Sequence, residues 1–187
     1  SSAASDVYKR QLLAQGANVQ MSDIHGGDKH QLGENYCFWP TDISSASEVN
    51  NTVDSIIQRF GRIDGLVNNA GVNFPRLLVD EKAPSGRYEL NEAAFEKMVN
   101  INQKGVFLMS QAVARQMVKQ RSGVIVNVSS ESGLEGSEGQ SCYAATKAAL
   151  NSFTRSWSKE LGKHGIRVVG VAPGILEKTG LRTPEYE

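Results

Sequence analysis

Gly123-Val124-Ile125-Val126-Asn127-Val128-Ser129-Ser130 is the stretch that decides the fold. Val124 to Val128 is a continuous apolar run broken only by Asn127. It does not alternate apolar with polar, and a run of that kind marks a strand buried on both faces. Such a strand belongs in a parallel sheet covered by helices on either side. The run ends in two serines, so hydroxyl groups stand at the strand's carboxyl end.

The pattern repeats outward. Tyr143 to Leu161 reads as a helix closed by Gly162, and Ile166 to Ala172 as another apolar strand, followed by Pro173-Gly174. On the other side, Asn91 to Gln120 carries Phe95, Met98, Val99, Val106, Met109, Val113 and Met117 on one face and reads as a single helix. Val72 to Leu90 is a long loop with Pro75, Pro84 and Gly86. Ile63 to Val67 reads as a buried strand running into Asn68-Asn69-Ala70-Gly71. Ser45 to Phe60 has a helical stripe of Val49, Val53, Ile56, Ile57 and Phe60, with Ser47 in the N-cap region and Gly61 as C-cap. Asn18 to Asp23 and Asn35 to Pro40 read as two further strands, the second stopped by proline. Strands alternating with helices predict an α/β protein, a Rossmann-like doubly wound parallel sheet with helices on both faces. Ligands bind such sheets beyond the carboxyl ends of the strands. Asp23, Asp42, Asn69 to Gly71, Ser130 and Pro173-Gly174 stand at those ends.

The 187 residues carry 20 Lys plus Arg and 20 Asp plus Glu, a formal charge of zero. Neutrality provides no global field for nucleic acid or an anionic membrane, and neither is expected as a partner. No apolar run approaches the ~18 residues that span a bilayer. The two cysteines, Cys37 and Cys142, are too few for a disulfide framework and fit a reducing cytoplasm. His25, His30 and His164 lack metal-ligand spacing, so no metal is expected. Cys142 adjoins Tyr143 and reads as a small buried side chain.

Tyr143 and Lys147 lie four apart and share one face of a helix. An ammonium beside a phenol favours the phenolate, and a tyrosine so tuned exchanges protons with an alcohol near neutral pH. Ser130 ends the preceding strand and is placed to hydrogen-bond the same substrate oxygen. Asn102 stands in mid-helix, where asparagine is a poor helix former and a kink is expected.

Asn68-Asn69-Ala70-Gly71, Asn102 in Ile101-Asn102-Gln103-Lys104-Gly105, Ser130, Tyr143-Ala144-Ala145-Thr146-Lys147 and Pro173-Gly174 occur in one order and spacing. On these motifs the chain from about Leu12 onward resembles the short-chain dehydrogenase/reductase family. The resemblance implies hydride transfer between a nicotinamide cofactor and a secondary alcohol or ketone. It assigns catalysis to Asn102, Ser130, Tyr143 and Lys147. Tyr143 is the acid/base, and Ser130 orients and polarises the substrate carbonyl. Lys147 binds the nicotinamide ribose and lowers the Tyr143 pKa. Asn102 holds a water that relays protons from Lys147, at a local irregularity of its helix.

By the same resemblance Asn69, Ala70 and Gly71 touch the adenosine ribose. Asp42 and Ile43 contact adenine, and Pro173, Gly174 and Ile175 line the nicotinamide. Asp23 ends its strand, with Ile24 rather than arginine after it. A carboxylate there accepts hydrogen bonds from ribose hydroxyls and repels a 2′-phosphate, which favours NAD. The family's threonine after Pro-Gly is displaced here, because Lys178 precedes Thr179, so Thr179 receives no role.

The long loop, Ser129 to Ser137, and the run from Ala172 to Thr183 resemble the family's polyol-phosphate dehydrogenases. This implies interconversion of sorbitol 6-phosphate and fructose 6-phosphate with NAD. The loop cations Arg76, Lys82, Arg87, Lys178 and Arg182 are candidates for an anionic substrate, with neutralisation by Asp80, Glu81 and Glu89 as the alternative. Two other functions are weighed against this. A 3-oxoacyl-thioester reductase of the same family uses NADPH more naturally, against which Asp23 argues. A non-catalytic dinucleotide-binding regulator has no need of all four catalytic residues.

A Gly-rich phosphate turn is expected ~20 residues before Asp23, but Ser1 to Asp6 contain no glycine. Residues 1–11 do not resemble the family and read as foreign sequence, with 12–187 as a partial Rossmann domain. The family's first strand is expected between the strands ending at Asp23 and Asn68, and its last strand follows beyond Glu187. On this reading the 187 residues alone are poorly folded and inactive, and the full-length protein is a homodimer or homotetramer.

Overall fold

The structure, a computed structural model, describes residues 3–24 and 34–174, with side chains from Tyr8 onward. Helix α1 (Ala3–Ala14) leads to strand β1 (Val19–Asp23) and strand β2 (Tyr36–Pro40). Helix α2 (Ala46–Phe60) and strand β3 (Gly65–Asn68) follow. Helix α3 (Glu92–Val99) passes through a π-helical turn (Asn100–Gly105) into helix α4 (Val106–Gln120). Strand β4 (Gly123–Val128), a short helix α5 (Ser132–Glu135), helix α6 (Ser141–Gly162) and strand β5 (Ile166–Val171) complete the order.

All pairings are parallel. β1 pairs with β2, Val19 opposite Tyr36. β4 lies between β3 and β5, with Ile125 opposite both Leu66 and Val168. The described strands therefore form two parallel sheets, β1-β2 and β3-β4-β5, with helices on both sides. This is the expected Rossmann-like α/β arrangement of parallel strands covered by helices. β1 and β3 are not paired, and this is where the sequence predicts an intervening strand. The facing strand β3 leaves Val67 39% exposed although it is apolar.

The α2 stripe packs Val49 and Val53 against Ala112, Val113 and Met117 of α4 and Ile125 of β4. Burying each large apolar side chain contributes about 1.5–3 kcal/mol. Ser45, not Ser47, caps α2: its hydroxyl accepts from the Glu48 N–H at 3.4 Å, while Ser47 lies within the first turn. Gly61 closes the helix with φ +75°, as expected.

The Asn91–Gln120 helix is interrupted rather than single, because the π turn widens one turn around Asn102 and Gly105. Gly105 is required there: a Cβ would lie 2.7 Å from Ile43 Cδ1. At the far end of α4, the Gln120 side chain accepts from the Ile63 N–H (2.9 Å) and donates to the Ile63 carbonyl (2.8 Å). That clip holds the segment entering β3.

Candidate active site

The site begins at the first turns of α6. Lys147 is 4% exposed, and its Nζ donates to the Val128 carbonyl at the end of β4 (2.7 Å). The ammonium lies 5.7 Å from the Tyr143 ring centre. Burial pulls the Lys147 pKa down from 10.5 to about 8, since a dry environment disfavours the charged form. One backbone acceptor leaves the remaining ammonium N–H groups available to a ligand hydroxyl.

Two neighbouring serines end β4 with different tasks. The buried Ser129 hydroxyl donates to the Lys147 carbonyl at 2.9 Å, tying strand to helix. Ser130 is half-buried and accepts from the Ser132 N–H at 3.3 Å. The backbone here is joined to the end of β5: the Ser129 N–H donates to Val171 (2.7 Å) and the Glu131 N–H to Pro173 (3.0 Å). Ser130, Pro173 and Gly174 are thereby brought together.

Asn102 comes to the same place from the π turn and is fully buried. Its Oδ1 accepts from the Val72 N–H, and its Nδ2 donates to the Val72 carbonyl, both at 2.8 Å. Nδ2 also donates to Thr146 Oγ1 (3.1 Å), whose hydroxyl donates to the Tyr143 carbonyl (2.8 Å). Gly71 lies against this group: a Cβ there would stand 3.3 Å from Asn102 Oδ1 and 3.5 Å from Lys147 Nζ. Missing side-chain bulk beside a buried ammonium is a cradle that suits the ribose hydroxyls of a dinucleotide.

The other nucleotide candidates divide between the sheets. Asn69 and Ala70 follow β3, next to Gly71. Asp23 is half-buried at the end of β1, its carbonyl accepting from the Thr41 N–H (3.1 Å). Asp42 spends Oδ1 on the N–H and hydroxyl of Ser44 (2.9 and 2.7 Å). The Ile43 side chain packs on Gly105 and the core, so its backbone is what remains for a base. Ile175, Lys178, Thr179, Arg182, His25 and His30 lie outside the described residues. His164 meets Arg121 at 3.1 Å on the surface. Cys142 is buried, its thiol toward the Phe95 carbonyl (3.8 Å), and burial pushes its pKa up. No group of metal-ligating side chains occurs among the described residues, and none of the described helices is long and apolar enough to cross a membrane.

Sequence reasoning missed a buried polar chain behind the site. Asn68 Nδ2 donates to Ser110 (2.9 Å) and to Asn127 Oδ1 (2.8 Å), and Asn127 Nδ2 donates to Thr154 (2.9 Å). The polar Asn127 inside an otherwise apolar strand was the available signal.

The family model described as short chain dehydrogenase matches residues 7–187. The chain belongs to the short chain dehydrogenase family. This short chain dehydrogenase is 88% identical over 177 residues to a sorbitol-6-phosphate 2-dehydrogenase of Klebsiella pneumoniae, covering 95% of this chain and 66% of that protein. It is 42% identical over 135 residues to a 3-oxoacyl-acyl-carrier-protein reductase of Thermotoga maritima, covering 72% of this chain and 51% of that one. A reductase of the same name from Chlamydia trachomatis is 36% identical over 171 residues, with coverages of 87% and 65%. The chain thus spans just under two thirds of the Klebsiella and Chlamydia proteins and about half of the Thermotoga one. The short chain dehydrogenase family uses a nicotinamide cofactor, which the Gly71–Lys147 cradle fits.

Proposed function

We propose that the protein is an NAD-dependent oxidoreductase acting on a polyol phosphate, interconverting sorbitol 6-phosphate and fructose 6-phosphate. The observation that carries the chemistry is the buried Lys147 ammonium beside Tyr143. The 88% identity to a sorbitol-6-phosphate 2-dehydrogenase supports the substrate.

Lys147, Gly71, Asn69, Ala70, Asp42, Ile43, Pro173, Gly174, Ile175 and Asp23 would hold the cofactor. When bound, it accepts or supplies the hydride. Tyr143 takes the proton of the substrate alcohol in oxidation and returns it in reduction. Ser130 donates a hydrogen bond to the same oxygen and fixes the carbon that reacts. The Lys147 ammonium favours the Tyr143 phenolate by proximity of opposite charge. Because the Asn102 amide is committed to Val72 and Thr146, the group left for a relay water is a backbone carbonyl of the π turn, where the helical register has shifted. Asp23 supports NAD over NADP by repelling a 2′-phosphate. Two free thiols support a cytoplasmic site of action. The resemblance to the family is the support for a homodimer or homotetramer of the full-length protein.

The test is steady-state reduction of NAD by the full-length protein. Sorbitol 6-phosphate is expected to exceed free sorbitol in kcat/KM by about tenfold or more. Tyr143→Phe is expected to lower kcat by about 10²–10⁴ while NADH binding persists. Equal rates on the two polyols overturn the substrate, and undiminished turnover in Tyr143→Phe overturns the acid/base role.

A further inference from the structure

Phe74, Arg76, Arg87, Asn91 and Lys97 line an open cleft of about 380 Å³ between the Val72–Leu90 loop and α3. Three cations converge on it. None of the three has a carboxylate within ion-pair distance among the described residues. Asp80 and Glu89 of the loop form no ion pair with them. The Asp80 carboxylate is buried and accepts from the Lys82 N–H (3.1 Å), while the Glu89 carboxylate accepts from the Asp80 N–H (2.9 Å). Both acids are spent holding loop backbone. The cations are held on the cleft by other contacts: Arg76 donates to the Pro75 carbonyl (2.6 Å), and Lys97 Nζ lies 5.4 Å from the Phe74 ring centre. The first turn of α3, capped by Asn91, faces the cleft and adds the positive end of a helix dipole.

The cleft is anchored to the catalytic helix. The Arg76 N–H donates to the Gly139 carbonyl (2.6 Å), and Asn73 Nδ2 donates to Gln140 Oε1 (3.2 Å), one turn before Tyr143. On its other wall, α3 meets α6 through Phe95 and Cys142. A chain leading away from a carbon held at Tyr143 and Ser130 therefore has a cationic recess beside it.

We propose that this cleft is the phosphate-holding end of the substrate site, with Arg76, Arg87 and Lys97 selecting a phosphorylated polyol over its free alcohol. This rests on the oxidoreductase reading above and specifies which residues recognise the anion. Lys82 lines no part of the cleft and is not among them.

The experiment compares kcat/KM for sorbitol 6-phosphate and for free sorbitol in the full-length protein. Arg76→Gln, Arg87→Gln and Lys97→Gln are each expected to reduce the ratio of the two about tenfold, the loss of one charge-assisted contact. Inorganic phosphate, as a competitive inhibitor, is expected to weaken in the same variants. Arg76→Lys and Arg87→Lys are expected to recover part of the ratio, which separates lost charge from lost folding. Lys119→Gln, on a different surface, is expected to leave activity unchanged. A ratio unmoved in all three glutamine variants, with sorbitol 6-phosphate still oxidised, overturns the cleft and leaves the oxidoreductase reading intact. A wild-type protein that does not prefer the phosphorylated polyol overturns the cleft and the polyol-phosphate substrate together, and leaves the oxidoreductase chemistry standing.

Discussion

The side chain of Asn102 grips Val72 by both backbone groups, N–H and carbonyl, each at 2.8 Å. The pair imitates a short piece of sheet and fixes the segment that carries Gly71 over Lys147. Asn102→Ala leaves the N–H and the carbonyl of the half-buried Val72 without their partner, and each lost bond costs about 0.5–1.5 kcal/mol. A lower Tm and a raised KM for NAD are expected together. Loss of turnover with unchanged Tm and unchanged KM would assign Asn102 to the relay alone.

Lys147 has a pKa of about 8 in the folded protein against an ordinary 10.5. Between those values the unfolded chain still holds a proton that the folded chain has shed. Stability contributed by this site is therefore lowest below pH 8 and rises from about 8 to 10.5. Measured as Tm against pH, wild type is expected to gain on Lys147→Met across that window. Parallel profiles for the two would show that burial does not lower this pKa.

Asp23 is the carboxylate at the end of β1. Its replacement by alanine removes the repulsion of a 2′-phosphate and the acceptor for ribose hydroxyls. The ratio of kcat/KM for NAD to that for NADP is expected to fall about tenfold or more in Asp23→Ala. A ratio that stays put would place cofactor choice elsewhere.

Gly105 admits the Ile43 side chain against the π turn. Gly105→Ala gains about 1 kcal/mol of helix propensity and loses about 1–3 kcal/mol to overpacking. A net fall in Tm is expected. In an Ile43→Ala background both close atoms, Cδ1 and Cγ1, are gone, and the same substitution is expected to be neutral or stabilising. An identical loss in both backgrounds would exclude this contact as the cause.

Strands and most helices were legible because their periodicity is local. The apolar run of β4, the stripe of α2 and the Tyr143–Lys147 spacing need no knowledge of distant chain. The proposed catalytic residues could be named because their motifs stand in one order and spacing along the sequence. The π turn was legible only as the oddity of an asparagine in mid-helix, since its register depends on Ile43 and Val72, both remote in sequence. Ser129 looked like a twin of Ser130, and only the fold separates an anchor on Lys147 from a half-buried hydroxyl that accepts from Ser132. Lys97 drew no notice as one cation on a helix. Only the fold sets it beside Arg76 and Arg87 on one cleft. Asp80 and Glu89, weighed with Glu81 as neutralising partners, accept from turn N–H groups and form no ion pair with the cleft cations among the described residues.

The clip of Gln120 on Ile63 has a counterpart in that of Asn102 on Val72. One amide stands at the π turn and the other at the end of α4, 18 residues on, and their targets flank β3. At ~1.5 Å per helical residue and ~3.3 Å per extended residue, the helical span is roughly 27 Å and the strand span at most roughly 30 Å. The helix thus works as a ruler laid along β3. A residue inserted or deleted between either pair of marks would unfasten one end, whereas the loop from Phe74 to Leu90 lies beyond the ruler. The loop can change length while the distance from Gly71 to Lys147 stays gauged.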